Sequence, residues 1–263
     1  MNIAEKFTNK SNAYAKARPD YPSEFINFLT NEIGITEKSI VADIGSGTGI
    51  LSEKMLKMNC KTICIEINDD MRKLAEERLS KYDNFVSINA TAENTTIESN
   101  SVDVITVAQA FHWFDTVKFK LECKRILKEN GKVVLVWNSR DNDCELVKEN
   151  AIIFQKYCPN FYGFSGGDEN LDERISFFFD NNYNSKRCEN NLLFDKDKFI
   201  NRNLSASYSL KETDENYSSF ISELENLFNK YAENNLLSMP NETVWYWGIE
   251  WQIIQRSFIW RIF

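Results

Sequence analysis

The stretch Val41–Gly49 reads VADIGSGTG: an apolar run takes in Asp43 and ends at Ile44, and glycines follow at every second position, Gly45, Gly47 and Gly49. Glycine has no Cβ, so a turn this rich in it reaches φ > 0 at low cost and lets a ligand approach the backbone. Three ligand chemistries compete for such a turn. A phosphate-cradling GxxxxGK[ST] loop needs a lysine after its last glycine, and Ile50 stands there. A dinucleotide loop prefers GxGxxG, whose third glycine allows close helix–strand packing beside the pyrophosphate. The spacing here is GxGxG, and the Asp43 carboxylate would oppose a pyrophosphate while suiting an ammonium or sulfonium group.

That combination points to S-adenosylmethionine as the ligand. Glu66 supplies a second element, since it stands near the end of the run KTICIEI, 17 positions beyond Gly49. An acid at the tip of a second strand is placed to accept hydrogen bonds from both ribose hydroxyls. Each such bond to a charged group contributes about 1.5–3 kcal/mol. Taken alone, Glu66 is equally well a solvated strand end. His112 is the only histidine in the chain and stands in FHWF, where its intrinsic pKa would suit a general base. Its neighbours Phe111, Trp113 and Phe114 fit a packed turn as well, so a pocket-wall role stands beside the catalytic one. Arg140, in WNSRD, carries a planar fork that can pair a carboxylate bidentately. An exposed arginine in a turn is the plainer reading.

These residues need elements to hold them. Short β-branched runs occur at 39–44, 62–67, 85–89, 102–107 and 132–137, and segments of helical periodicity at 51–58, 70–79 and 117–127. Strands separated by helices in this way make a parallel sheet covered on both faces. Asn130–Gly131 reads as the stop of the third of these helices. Beyond Arg140 the rhythm breaks. Residues 144–157, 168–180 and 214–232 read as helices, and 186–194 and 243–249 as β-like runs that could complete the sheet. The expected fold class is α/β: a Rossmann-like, mostly parallel seven-stranded sheet flanked by helices, with a helical cap inserted before the last strands. Residues 1–37 would form a helical segment over the ligand and 38–140 the binding core. Residues 141–235 would hold the cap plus a sheet strand, and 236–263 the last strand and an apolar tail. That tail, EWQIIQRSFIWRIF, suits a packed helix or an interaction surface.

The bulk numbers bound the function. With 263 residues, 43% of them hydrophobic and 27% charged, the chain has an ordinary globular composition and can bury a sizeable core. A net charge of −8 opposes unassisted binding to a phosphate backbone. No apolar stretch reaches the ~18 residues of a membrane span, and the start MNIAEKFTNK lacks the apolar core of a secretion signal. The six cysteines include no CxxC pair, and Cys60 and Cys64, around KTICIEI, read as small apolar fillers rather than metal or redox groups, which suits a reduced, cytoplasmic protein. Abundant Lys, Asn, Ile and Phe suggest an AT-rich coding genome and a bacterial source.

VADIGSGTG, then Glu66, then INATAEN after the third run and AQAFHWFD after the fourth resemble a class I S-adenosylmethionine-dependent methyltransferase. The closer likeness is to the small-molecule group that includes trans-aconitate methyltransferase-like proteins. It covers roughly residues 40–141 and extends more weakly to YAKARPDYP near the N-terminus. The resemblance implies that Gly45, Ser46 and Gly47 face the methionine portion of the cofactor and that Glu66 takes the ribose. Ile67 would lie against the adenine, and Ala92–Glu93 would reach the adenine edge through a backbone N–H and a carboxylate. Gln109 and Ala110 would border the methyl group, with Tyr14 and Arg18 folded over the cofactor, Arg18 near its carboxylate. His112, Trp113 and Arg140 would then face a small-molecule acceptor, a carboxylic acid being one candidate, and S-adenosylhomocysteine would be the product.

Methyl transfer of this kind is an in-line displacement from an already activated donor, so orientation can supply ~7–11 kcal/mol of the barrier. A general base adds ~10²–10⁴-fold, and only if the acceptor must lose a proton. Two other functions stay open. One is a non-catalytic S-adenosylmethionine-binding regulator that holds a partner through the cap or tail. The other is nucleic-acid methylation, for which the place after the fourth run lacks both [DN]PP[YF] and a cysteine after proline.

Overall fold

The computed structural model describes residues 20–164, 170–206 and 208–249. The five β-branched runs form β1 (Ile40–Ile44), β2 (Lys61–Ile65), β3 (Phe85–Ile88), β4 (Val102–Ala108) and β5 (Leu127–Arg140). Helix α1 (Ser23–Asn31) precedes them; α2 (Ile50–Lys57), α3 (Asp69–Leu79) and α4 (Thr116–Ile126) lie between them. Two of these helix starts are written in the sequence. Asn68 and Asp115 cap α3 and α4, their side chains accepting from the N–H groups of Met71 and Lys118. The stop of α4 differs from expectation. It ends at Ile126, and Asn130–Gly131 falls inside β5, where Asn130 has a φ of 65° and the pairing with β4 skips register.

Strands covered on both faces carry apolar residues at successive positions. On β5, Val133, Leu135 and Trp137 join one core with Phe119 of α4, while Val134 and Val136 join the other with Phe25 and Leu29 of α1. The same alternation puts Ala42 and Ile44 of β1 on the first face and Val41 on the second.

After β5 come α5 (Glu145–Tyr157) and α6 (Leu171–Phe178), then β6 (Asn184–Glu189) and β7 (Leu192–Phe194). Helices α7 (Lys196–Leu204) and α8 (Tyr217–Tyr231) lead to β8 (Leu237–Met239) and β9 (Asn241–Ile249). The main sheet has seven strands in the order β3-β2-β1-β4-β5-β9-β6. The first five are parallel, and β9 runs antiparallel between β5 and β6. This is the expected Rossmann-like sheet flanked by helices.

The run 186–194, expected as one strand, breaks at Asn190–Asn191. Its second half, β7, pairs with β8 as a separate two-stranded ribbon. That ribbon, α5, α7 and α8 surround a third core that includes Phe154, Phe199, Phe220 and Leu224. This is the cap, inserted between β5 and β9. Helix α6 does not join it: Ile175 and Phe178 pack with Phe111 and Phe119 against the sheet. No helix among the described residues is long and apolar enough to cross a membrane. The N-terminal residues 1–19 and the apolar tail, 250–263, lie outside the described residues.

Candidate functional site

From β1 the chain runs to β2 on one side and later to β4 on the other, so a crevice opens at the carboxyl ends of these strands. Open α/β sheets bind their ligands at such a switch point. The glycine turn lies there. Gly45, Gly47 and Gly49 all take left-handed backbone, with φ of 69°, 56° and 78°. The N–H groups of Gly45 and Ser46 donate to the Ile65 carbonyl of β2 at 2.9 and 3.0 Å. Two of the glycines also leave no room for a side chain. A Cβ on Gly45 would stand 2.6 Å from Ala110 Cβ, and one on Gly49 2.5 Å from Leu79 Cδ1. The turn is thus held between β2, α3 and the segment after β4.

Glu66 ties the turn to β2. Its Oε2 accepts from the Gly47 N–H at 2.9 Å and its Oε1 from the Asn68 N–H at 2.7 Å. Burial raises its pKa above the usual glutamate value, against the pull of these N–H groups, that of Ile67, and the Arg72 charge. A carboxylate offers about four lone-pair positions, so these N–H donors still leave acceptor capacity for a ligand hydroxyl.

A hollow of roughly 940 Å³, its open mouth included, begins at this carboxylate. Gly45 and Gly47 border it on the side of the turn. Ile67, 40% exposed, lies on its wall. Ala92 and Glu93 line it too, with the Glu93 carboxylate accepting from the Asp115 N–H at 2.9 Å. Gln109, Ala110 and Trp113 enter from the end of β4. Gln109 has a φ of 60°, uncommon for a residue with a side chain. Its N–H donates to Val136 O at 2.9 Å and its Nε2 to Asn138 O at 3.2 Å, which fastens this segment to β5. Ser46 borders a smaller, adjoining hollow with Tyr21, Thr48, Gln109 and Asn138.

Asp43 departs from the expectation that it meets a positive group on the ligand. It is 1% exposed and borders neither hollow. Side chains alternate along a strand, so Asp43 shares the face of Val41. There Ser52 of α2 donates to its Oδ2 at 2.5 Å, and Thr106 of β4 donates to its Oδ1 at 2.9 Å. Burial pushes the Asp43 carboxyl up to about 6 despite those two hydrogen bonds, and the neighbouring Glu66 charge adds to the rise. Asp43 therefore fastens the base of the glycine turn to α2 and β4.

His112 and Arg140 also border neither hollow. His112 sits in a 3-10 turn, Phe111–Trp113, with its ring centre 4.6 Å from that of Trp113. Three residues per turn send successive side chains in three directions. Phe111 enters the core, Trp113 reaches the hollow, and His112 goes to neither. The Arg140 guanidinium carbon stands 4.1 Å from the centre of the Phe164 ring. Tyr14 and Arg18 lie outside the described residues.

Other residues enter the site that motif reading passed over. Asn68, Met71, Thr91 and Phe114 line the larger hollow; Tyr21, Thr48 and Asn138 line the smaller one. Asn68 was findable from INDD, an N-cap followed by two acids. Asn138 was findable as the polar residue after the apolar stretch of β5, at the carboxyl end where ligands bind.

A mostly parallel sheet with a glycine turn after β1, a carboxylate closing that turn from the tip of β2, and a hollow running on to β4 is the arrangement of class I methyltransferases. This chain belongs to that family. Residues 42–135 match the family model described as a methyltransferase domain. An uncharacterised methyltransferase of Schizosaccharomyces pombe is 30% identical over 182 residues, which cover 67% of each chain. One of Mycobacterium tuberculosis is 32% identical over 148 residues, covering 56% of this chain and 58% of its own. The matched stretch thus spans between about half and two thirds of these relatives, and they include a eukaryote, so they do not carry the bacterial expectation. Among solved structures, a candidate methyltransferase from an antibiotic biosynthesis pathway of Anabaena variabilis superposes with a TM-score of 0.62 at 19% identity, covering 88% of this chain and 98% of that one. At that identity the likeness is one of fold.

The family implies S-adenosylmethionine as methyl donor, and the residues present fit it. Backbone without Cβ approaches the crevice, Glu66 keeps acceptor capacity beside the Gly47 N–H, and the exposed apolar face of Ile67 suits a flat aromatic ring.

Proposed function

We propose that the chain transfers a methyl group from S-adenosylmethionine to a small-molecule acceptor, with carboxylic acids, as in the trans-aconitate methyltransferase-like group, the first class to test. The observation that carries the reading is the Glu66–Gly47 contact at the head of the larger hollow. Glu66 accepts the ribose hydroxyls, Ile67 backs the adenine, and the Ala92–Glu93 segment reads its edge. Gly45, Ser46 and Gly47 run beside the methionine portion. When bound, the cofactor supplies a methyl group already activated on a sulfonium.

The chain's own work is then to orient the acceptor and exclude water, which suffices for an in-line displacement. The smaller hollow, which shares Gly45, Gly47 and Gln109 with the larger one, supports an acceptor of small size. Arg140 borders neither hollow, but it stands two residues from Asn138, on the wall of the smaller one, and so on the same face of β5, which keeps it the first residue to test against an acidic acceptor. Trp113 closes the hollow from the β4 side. His112, aimed at neither hollow, is a weaker candidate for a base than its position in the sequence suggests.

The test is incubation with methyl-labelled S-adenosylmethionine and pooled small carboxylic acids, amines and phenols, following label transfer and S-adenosylhomocysteine release. Turnover confined to acids, and reduced by Arg140→Ala with bound cofactor retained, supports the full reading. Turnover on amines or phenols alone removes the carboxylic-acid part. Cofactor binding with no turnover on any pool, and a partner protein held by the chain, would favour the regulator.

A further inference from the structure

The segment that carries Trp113 and Phe114 into the larger hollow is a single turn of 3-10 helix, in which Phe111 O takes the Phe114 N–H at 3.1 Å and the carbonyls beyond it have no partner in the turn. Arg174, on α6, takes them up. Its Nη2 donates to Phe114 O at 2.8 Å and to Phe111 O at 3.2 Å, and its Nη1 donates to His112 O at 3.2 Å. Its Nε donates to Thr116 Oγ1 at 3.0 Å, at the start of α4, and the guanidinium carbon lies 5.3 Å from the centre of the Phe111 ring. A guanidinium has five N–H donors in a fixed plane and no acceptor, so one side chain can fasten several carbonyls at set positions. A lysine ammonium is a compact point charge that imposes no such fork.

The same turn is pressed against the glycine loop, since Ala110 and Phe114 are the atoms nearest to a Cβ built on Gly45. Its position therefore sets the width of the hollow between Gly45 and Trp113. Arg174 lies outside residues 42–135, the stretch shared with the family model, and comes from the part of the chain after the β5 strand. From these contacts we infer that Arg174 is a positioning residue for the cofactor pocket: through the carbonyls of Phe111, His112 and Phe114 it holds Trp113 and Phe114 against the bound ligand. The inference rests on the cofactor reading of the preceding section.

A control exists in the same helix pair. Lys120 of α4 donates to Phe177 O at 2.9 Å and to Asp180 Oδ1 at 2.5 Å, which docks the end of α6 on α4 without touching the 3-10 turn. The experiment is calorimetric titration of the full chain with S-adenosylhomocysteine for wild type, Arg174→Met, Lys120→Met and Glu66→Ala, with thermal unfolding of each. The inference predicts that Arg174→Met raises the dissociation constant about tenfold, a 1.4 kcal/mol change. Lys120→Met would bind like wild type even where the two variants lose similar thermal stability. Equal weakening by both, or wild-type binding by Arg174→Met, overturns it. If Arg174→Met does not fold, Arg174→Lys, which keeps the charge and loses the fork, carries the same comparison. Failure of the wild-type protein to bind at all would instead overturn the cofactor reading, and Glu66→Ala separates the two cases: loss of binding there beside intact binding in Arg174→Met sinks only the inference about Arg174.

Discussion

Glu66 Oε2 accepts a hydrogen bond from the Gly47 N–H at 2.9 Å, so the acid at the tip of β2 and the glycine turn after β1 are one mechanical unit. The contact joins two strand ends from residues 19 apart in sequence. It places a half-buried acceptor beside the backbone that has no side chains to obstruct a ligand. The Ile65 carbonyl, which takes the Gly45 and Ser46 N–H groups, completes the attachment.

Gly45→Ala should abolish cofactor binding and destabilise the fold. The left-handed φ of 69° disfavours any Cβ, at a cost of about 1–2 kcal/mol. The added methyl would also meet Ala110 Cβ at 2.6 Å, an atom that cannot rotate away. Together these give a loss of about 2–4 kcal/mol. Urea unfolding monitors the loss, and a variant as stable as wild type would show that the turn relaxes freely.

Asp43 gives a pH signature. Its folded pKa is raised to about 6, above the ~3.9 of an unfolded aspartate, so between those values the native state binds more protons than the unfolded one. Stability attributable to this group is full below about pH 4, falls as pH rises towards 6, and is flat above, a total of about 3 kcal/mol. Asp43→Asn carries no such charge. Its stability relative to wild type should therefore improve between pH 4 and pH 6, as read from urea midpoints. A constant difference across that range would mean that Asp43 ionises without penalty.

Glu122 behaves in the opposite sense. Burial alone would raise its pKa, but hydrogen bonds from Arg125 and Thr95 and the Arg125 charge hold it down at about 2. Its Oε1 accepts from both the N–H and the hydroxyl of Thr95, which anchors the loop that runs on from Ala92 and Glu93 at the hollow. Glu122→Gln should cost about 2 kcal/mol at neutral pH. The cost should shrink as pH falls from about 4.5 towards 2, where the wild-type carboxylate itself gains a proton. A cost that is unchanged in acid would point to packing rather than charge.

The parallel half of the fold was legible because each of its strands and helices carries a short-range period. β1 to β5 and α2 to α4 lie within a few residues of the runs read from spacing alone. The glycine turn was legible for the same reason: its chemistry is local. The burial of Asp43 was not legible because its partners, Ser52 and Thr106, come from a helix and a strand that only the tertiary fold brings together. Which side chain of FHWF enters the hollow was not legible, because the 3-10 turn sends Phe111, His112 and Trp113 in three directions. Helix α7, KDKFINRNL, offers little beyond Phe199 and Ile200 to an apolar period, although its N-cap Asp195 was there to be seen. The break at Asn190 was invisible because it depends on distant hydrogen bonds, the Asn190 Nδ2 donating to Thr243 Oγ1 at 3.0 Å and to Asp20 O at 3.2 Å.

The measurement that tests the account most directly is calorimetric titration with S-adenosylmethionine and S-adenosylhomocysteine, wild type beside Glu66→Gln. Glutamine keeps the size of the side chain but gives up the charge and half the acceptor capacity for the Gly47 N–H and the ribose. The account predicts that wild type binds both ligands and that the variant binds each at least about tenfold more weakly. Binding of equal strength in the two proteins, or none in the wild type, would contradict the assignment of Glu66 and the glycine turn as the cofactor site.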